Sequence, residues 1–153
     1  MGAVRGKQPQ ATVRIFCRYP ATAWILPFDR RQQRAALAAM LAAAEQANVP
    51  VAPPAVELHL VDDAAMSAAN RRCMGCQGPT NVLSFPGGCD SPGTLLFSLD
   101  TLRRECLLYG QEPGEHALRL LAHGMAHLCG LDHSALMDAV SDYFMLVAAE
   151  AVA

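Results

Sequence analysis

The sequence predicts an α/β (α+β-like) fold, with a single small mixed sheet of about four strands packed with about five helices. The first indication is that segments with a two-residue hydrophobic period alternate along the chain with segments of helical period. The second is the length of 153 residues, which suits one domain better than two. The third is a composition with 52% hydrophobic and 17% charged residues, which supports a buried core and excludes intrinsic disorder.

Four segments are predicted to be strands. The segment AVELHLV alternates most cleanly, with Val56, Leu58 and Leu60 on one side and polar residues on the other, as in a half-buried strand. The weaker alternation near the N-terminus and two short apolar runs between loops complete the sheet. The predicted strands are Thr12–Cys17, Ala55–Val61, Val82–Phe85 and Leu95–Ser98.

Five segments are predicted to be helices, because apolar residues recur at helical spacing and capping residues precede several of them. Asp29 and Asp62 are suited to cap the first two, and Pro113 suits the first turn of the fourth. Residues 1–11 are expected to form a flexible tail before a single domain, 12–153. The predicted helices span residues 30–47, 63–72, 99–109, 113–128 and 134–151.

Charge and hydropathy limit the functional classes. The net charge of −2 excludes a generally basic nucleic-acid-binding protein but is compatible with a local basic patch. No apolar run approaches the roughly 18–20 residues of a membrane span, and the N-terminal segment lacks the apolar core of a signal peptide. We therefore expect a cytoplasmic protein with no membrane partner, in which the six cysteines are free thiols.

The strongest chemical signal is the segment HGMAHLCGLDH, which contains three histidines. His123 and His127 are four residues apart on a predicted helix, so both project from one face, roughly 6 Å apart along the axis. Gly130 stands where helices often end in the left-handed conformation, and a turn there can return His133 to the same ion. Three neutral imidazoles with an open fourth position are typical of a catalytic zinc site rather than a structural one.

Histidines also occur on helix surfaces and in cores without metal. His59 and His116 fit no ligand spacing and are interpreted in that way, as ordinary surface or strand-face residues. For the other three, a shared ion explains both the spacing and the glycine. Asp132, next to the third histidine, is predicted to orient one of the ligands by hydrogen bonding.

Gly124 distinguishes this segment from the metzincin peptidases, which have the same histidine spacing but place a glutamate general base at that position. Peptide hydrolysis needs a proton carrier to the departing amine. A phosphodiester is less demanding, because its leaving group is an alkoxide that metal or solvent can assist. The glycine therefore favours a phosphodiesterase over a zinc peptidase, which stays open as an alternative.

Two blocks together resemble the YbeY family of bacterial rRNA maturation factors. Residues 123–133 are similar to the family's H-G-x-x-H-L-x-G-x-D-H, and residues 79–86 (PTNVLSFP) to its P-T-[DN]-V-L-S-F-P. Weaker similarity at Asn70 and in LDTLRRE, together with the element order, extends the resemblance from about Thr12 to the C-terminus.

The resemblance implies an α/β fold and a single-strand-specific endoribonuclease that acts in rRNA maturation, at the 16S rRNA 3′ end, and in ribosome quality control. It implies one zinc ion held by His123, His127 and His133, through which these residues are catalytic. The implied partners are rRNA and the small ribosomal subunit, with a ribosomal protein or GTPase as a further partner and no DNA. A non-catalytic ribosome-associated zinc-binding protein is the second alternative.

The chain departs from the family at three positions. Met74 stands where the family has an arginine that is thought to contact RNA or assist catalysis. Thr94 replaces an acidic residue, and Leu131 replaces a tyrosine. These departures bear on RNA affinity and rate more than on metal binding. Arg71 and Arg72 lie close enough in sequence to substitute for the missing arginine.

Further candidate residues have two interpretations each. Arg71 and Arg72 can border an RNA groove, since phosphate contacts dominate affinity, or simply lie on a solvated helix face. Asn81 and Ser84 either contact substrate or shape the loop into its strand. The C-x-x-C of Cys73 and Cys76 is either a second metal or redox site or a pair of free cysteines in a loop; one visible pair falls short of the usual four zinc ligands.

Overall fold

In the described residues, four strands form one mixed sheet and five helices pack against it. The computed structural model describes residues 12–18, 26–88 and 90–153, so the predicted flexible tail, 1–11, lies outside these ranges. The predicted fold class is confirmed. The elements are β1 (Thr12–Cys17), α1 (Arg30–Gln46), β2 (Ala55–Val61), α2 (Asp63–Met74), β3 (Val82–Phe85), β4 (Gly93–Ser98), α3 (Leu99–Tyr109), α4 (Pro113–Leu128) and α5 (Ala135–Val152).

The strand order in the sheet is β1-β2-β4-β3. The pairs β1–β2 and β2–β4 are parallel, whereas β3 runs antiparallel to β4. The alternation in β2 sets its two faces: Val56, Leu58 and Leu60 are buried, while Glu57 and His59 on the other face are partly exposed. Within the described part of the chain, β1 and β3 are the edge strands.

Local capping explains the helix boundaries. Asp29 makes a capping box with Gln32 at the start of α1, and the Asp62 side chain accepts from the Ala65 amide at the start of α2. α2 extends to Met74, two residues beyond its predicted end, because Gly75 provides the left-handed residue that stops it, at φ +67°. Likewise β4 begins at Gly93, two residues before the predicted Leu95.

The main core lies between one face of the sheet and the helices α1, α4 and α5. Leu37 and Met40 of α1, Phe97 of β4 and Phe144 of α5 are each at most 1% exposed within it. Burying large apolar side chains of this kind contributes about 1.5–3 kcal/mol each. This core fixes α4 against β3 and β4, and α4 contains the first two histidines of the motif.

Among the described residues, α2 covers the other face of the sheet over β3, β4 and the end of β2. There Met66 of α2 is fully buried against Val61 and Leu83, with Leu96 packed beside them. The outward-facing side chains of β1 remain exposed. No helix in the described ranges is both long and apolar enough to span a bilayer.

Candidate metal centre

The structure brings the three histidines of the motif together. His123 and His127 lie one turn apart on α4, and Gly130, at φ +83°, reverses the chain after the helix so that His133 returns to them. One ligand atom from each imidazole lies within 4.8 Å of the others. The predicted geometry of two helical histidines plus one from the following turn is therefore present in the fold.

A backbone carbonyl orients the middle histidine. The Nδ1 atom of His127 lies 2.9 Å from the Leu131 carbonyl oxygen, which can only accept, so Nδ1 carries the proton and Nε2 has a free lone pair. The Leu131 amide in turn donates to the Ala126 carbonyl at 3.2 Å, which fixes the turn. Such an outer hydrogen bond sets both the tautomer and the ring direction of a metal ligand.

Asp132 does not take the orienting role that we predicted for it. Among the described residues, no hydrogen bond joins its carboxylate to a histidine, and its backbone carbonyl accepts from the Ser134 hydroxyl. Its side chain borders the cleft beside the histidines instead. The peptide group one residue earlier takes the predicted role, because the reversal after Gly130 aims that carbonyl back at α4.

The surroundings of His123 favour its neutral form. Burial lowers the pKa of His123 below its usual value, and the neighbouring His127 and His133 lower it further, whereas Asp138 opposes the shift. A neutral imidazole is the form that binds metal. The donor set fits a zinc ion, because three imidazole nitrogens converge, and two of the three histidines, His123 and His127, line the cleft.

Gly124 is required by helix–sheet packing. A Cβ atom at this position would lie 2.9 Å from Leu95 Cδ2 and 3.2 Å from Val82 Cγ2, so these packed side chains would have to shift to admit it. The Gly124 carbonyl also accepts a 2.9 Å hydrogen bond from the Ser84 hydroxyl of β3. A glutamate base therefore has no room here, which removes the chemical group that the peptidase alternative needs.

A cleft of about 560 Å³ opens beside the histidines, between α4 and the β3 edge of the sheet. Met74, at the position of the family's arginine, lies on its wall and is 59% exposed. None of the described residues that line the cleft is an arginine or lysine. The cleft can therefore attract a phosphodiester through a bound cation but offers no cationic side chain of its own.

The four predicted RNA-contact residues occupy different places. Asn81 and Ser84 line the cleft, but the Asn81 side chain bonds to Glu105 and to the Val82 amide, and the Ser84 hydroxyl bonds to α4. This favours the alternative that they shape the loop and strand. Arg71 and Arg72 are exposed in the last turn of α2 and do not line the cleft.

One cluster was missed by sequence reasoning. Glu105 of α3 accepts from the Asn81 amide at 3.0 Å through one oxygen and pairs with His116 Nε2 at 2.8 Å through the other. The His116 side chain is 12% exposed, so the expectation of an ordinary surface residue is wrong. Glu105 thus links the start of β3 to α4, the two elements that enclose the cleft. Its partners are 24 and 11 residues away in the sequence, so no periodic sequence pattern indicates these contacts.

The cysteines divide into exposed and buried thiols. Cys73 and Cys76 are free and exposed at the end of α2, and in the described residues the histidine cluster is the only group of three or more potential metal ligands. Cys89 lies outside the described residues. Cys129, within the histidine motif, is fully buried, and burial raises its pKa to about 11. Its predicted role in packing is confirmed.

Fold and site define a class: a small α/β protein in which three histidines that could hold a metal ion lie beside an open cleft, with a glycine at position 124. The family described as Endoribonuclease YbeY matches residues 23–141. The chain belongs to this endoribonuclease family.

Curated relatives carry the same description. The Endoribonuclease YbeY of Nitratidesulfovibrio vulgaris is 39% identical over 142 residues, which cover 78% of this chain and 85% of the relative. That of Oleidesulfovibrio alaskensis is 38% identical over 144 residues, with 78% and 82% covered. A solution structure of a Thermotoga maritima protein matches the fold with a TM-score of 0.61 at 20% identity, covering 89% of this chain and 88% of that one.

Proposed function

We propose that this chain is a zinc-dependent, single-strand-specific endoribonuclease that matures the 3′ end of 16S rRNA in the cytoplasm and takes part in ribosome quality control. The observation that carries the proposal is the convergence of His123, His127 and His133 within 4.8 Å at the wall of an open cleft. Membership of the YbeY family is the basis for proposing endoribonuclease activity. The zinc peptidase and the non-catalytic zinc-binding protein are not favoured by it.

The chain's own residues supply three things to the reaction. His123, His127 and His133 hold the ion, and the Leu131 carbonyl keeps the His127 ring in position. A zinc ion held there supplies Lewis-acid chemistry, which stabilises charge on a phosphoryl oxygen or lowers the pKa of water. The absence of a side chain at Gly124 lets α4 pack close to the sheet, and the hydrogen bond from the Ser84 hydroxyl to the Gly124 carbonyl holds it there, beside the cleft.

The open cleft favours single-stranded RNA as the substrate. It lies at a sheet edge, between β3 and the turn that follows α4, and both Met74 and Asp132 are accessible on its rim. An unpaired strand can bring one phosphodiester to the histidines, whereas a base-paired strand is held in a rigid helix. We propose the small ribosomal subunit as the place of action, reached through a ribosomal protein or a GTPase.

The test is cleavage of an rRNA 3′-end fragment by the zinc-loaded protein. The His127→Ala variant is purified in parallel, and zinc per chain is measured for both by mass spectrometry. His59→Ala provides a matched control for zinc content, since His59 lies on the sheet away from the cluster. We expect the native chain to contain stoichiometric zinc and to cleave the fragment. His59→Ala should contain as much zinc as the native chain, and His127→Ala should neither bind zinc nor cleave.

Two results contradict the proposal in different ways. Unchanged stoichiometric zinc in His127→Ala overturns the ligand assignment. A native protein that contains zinc but cleaves neither the fragment nor the same fragment within small-subunit particles overturns the nuclease function. Casein hydrolysis that a chelator blocks would show the peptidase activity that Gly124 argues against.

A further inference from the structure

The sheet face that α2 covers only in part has an open half at the opposite edge from the histidines. Strand register places Phe16, His59, Leu96 and Leu83 in one row across the sheet. α2 packs on the last two. The first two remain accessible, and Phe16 is 40% exposed. We call the open half, formed by Arg14, Phe16, Glu57 and His59, the β1–β2 surface.

Contacts within the β1–β2 surface order its two rings. The rings of Phe16 and His59 stack with centroids 4.7 Å apart and an interplanar angle of 21°. The Arg14 guanidinium lies 6.0 Å from the Phe16 centroid and 3.6 Å from a Glu57 carboxylate oxygen. The other Glu57 oxygen lies 3.6 Å from His59 Nε2. These contacts hold the two rings in one defined arrangement on the surface of the sheet.

Two arginines, Arg14 and Arg18, lie near the stacked Phe16–His59 rings. Because successive side chains of a strand alternate in direction, Arg14 and Phe16 share one face of β1. Arg18 follows the last residue of β1, at a bend, and its amide donates to the Leu60 carbonyl at 3.4 Å, which holds it at the end of the same strand. Both arginines are exposed. One Glu57 contact leaves most of the five N–H donors of Arg14 available.

Single-stranded RNA fits this arrangement in shape and charge. Sheet surfaces that bind unpaired RNA stack bases on aromatic rings and contact phosphates with arginines. A duplex cannot use the rings, because its bases are stacked inside. The cleft has no arginine or lysine among its described lining residues, whereas the β1–β2 surface offers exposed arginines for phosphate contacts.

We propose that the β1–β2 surface binds the part of a single-stranded RNA substrate that lies outside the scissile segment. One base stacks on the exposed Phe16 ring, which His59 supports from the other side, and neighbouring phosphates contact Arg14 and Arg18. The inference rests on the proposed endoribonuclease function. The three strand spacings between β1 and β3 amount to about 14 Å in the plane of the sheet, and from there the RNA has to pass α2 and the β3 edge to reach the histidines, because α4 packs on the opposite face.

Fluorescence anisotropy with labelled single-stranded RNA tests the proposal directly. The variants are Phe16→Ala, Phe16→Tyr, which keeps the ring, and Tyr109→Ala, which removes an aromatic of α3 that is 70% exposed. We expect Phe16→Ala to weaken binding about 5- to 100-fold, the range for loss of one base stack. Phe16→Tyr and Tyr109→Ala are expected to bind like the native chain, as is Phe16→Ala with duplex RNA.

The arginines have a separate signature. Arg14→Gln and Arg18→Gln are each expected to reduce the slope of log affinity against log salt by about 0.7, the value for one phosphate contact to a single strand. In cleavage assays, Phe16→Ala is expected to raise KM for long substrates and leave kcat unchanged. Thermal unfolding of each variant shows whether the fold is intact.

Failure of this proposal and failure of the proposed function are distinguishable. Equal single-strand affinity of the native and Phe16→Ala proteins, with cleavage intact, overturns the β1–β2 surface alone. An equal loss in Tyr109→Ala also overturns it, because the effect is then not specific to the stack. Native protein that binds RNA through Phe16 but does not cleave it overturns the nuclease function and supports the surface.

Discussion

The two edges of the sheet differ in the chemistry they present. At the β3 edge, three histidines converge beside a cleft whose described lining has no arginine or lysine. At the β1 edge, two exposed arginines flank a stacked Phe16–His59 pair, and the described residues place no metal-ligand cluster there. We therefore propose that the reaction and the affinity for RNA depend on opposite edges of one small sheet. Substitutions at each edge should then change different measurements.

We expect the largest effect on zinc binding and cleavage from a substitution of His133, the ligand that follows α4 rather than lying on it. His133→Ala removes one of three nitrogen donors, and we expect zinc affinity to fall by more than 100-fold and cleavage to become undetectable. Loss of a mere hydrogen-bond partner to a ligand costs about 10- to 100-fold. Zinc titration with a chromophoric chelator measures the change. Asp132→Asn is the control and should stay within a few-fold of native, because no described hydrogen bond joins Asp132 to a histidine.

Packing at Gly124 gives the next largest effect. Gly124→Ala places a Cβ 2.9 Å from Leu95 Cδ2, and we expect it to lower the free energy of unfolding by about 1–3 kcal/mol. Gly124→Glu should destabilise the protein further and gain no casein hydrolysis. Urea unfolding measures both. Ala139→Glu, at an exposed position of α5, should change stability by at most about 0.5 kcal/mol. A stable Gly124→Glu variant would refute the close approach of α4 and the sheet.

Glu105 tests how the β3 edge is built. Glu105→Gln weakens the pair with His116 and the bond to Asn81, both largely shielded from water, and we expect a loss of about 1–3 kcal/mol. Because the residue ties β3 to α4, kcat should fall while affinity for RNA at the β1 edge stays unchanged. Glu115→Gln breaks an exposed pair with Arg119 on the same helix and should cost at most about 0.5 kcal/mol. Equal losses in the two variants would contradict the linking role of Glu105.

Asp63 gives the smallest effect and a pH dependence. The hydrogen bond from Arg104 lowers its pKa below 3.8, assisted by Thr101 and Ser98 and opposed by burial. A depressed folded-state pKa contributes stability that is present above the unfolded value and lost as the pH falls through the folded one. Asp63→Asn should therefore cost about 0.5–1 kcal/mol at pH 7, a modest value because Asp63 and Arg104 are 33% and 48% exposed. Urea unfolding from pH 7 to pH 3 should show this difference shrinking below about pH 4; a constant difference would refute it.

Local patterns predicted most of the fold and the core of the site. Two histidines at helical spacing and a glycine after them are short-range signals, and the structure places all three residues as expected. The same holds for β2, whose alternation gives its buried face directly. Helix and strand boundaries shifted by up to two residues where a glycine, such as Gly75 or Gly93, sets the end.

Contacts between distant segments could not be predicted. The group that orients His127 is a backbone carbonyl. Every residue has one, so the sequence does not indicate which carbonyl is used, and the prediction names the side chain of Asp132 instead. The role of Glu105 depends on three elements meeting at one carboxylate. Gly124 was interpreted as a missing base, and only the packing of α4 on the sheet shows that no larger residue fits there.

X-ray absorption at the zinc edge tests the central claim most directly, because it counts the ligands of the bound ion. For the zinc-loaded native protein we predict three nitrogen ligands at about 2.0–2.1 Å, from His123, His127 and His133, and no sulfur ligand. The spectrum should lose nitrogen ligands in His133→Ala. A sulfur shell near 2.3 Å, absent from a Cys73→Ser/Cys76→Ser double variant, would place the zinc at the end of α2 and contradict the histidine site.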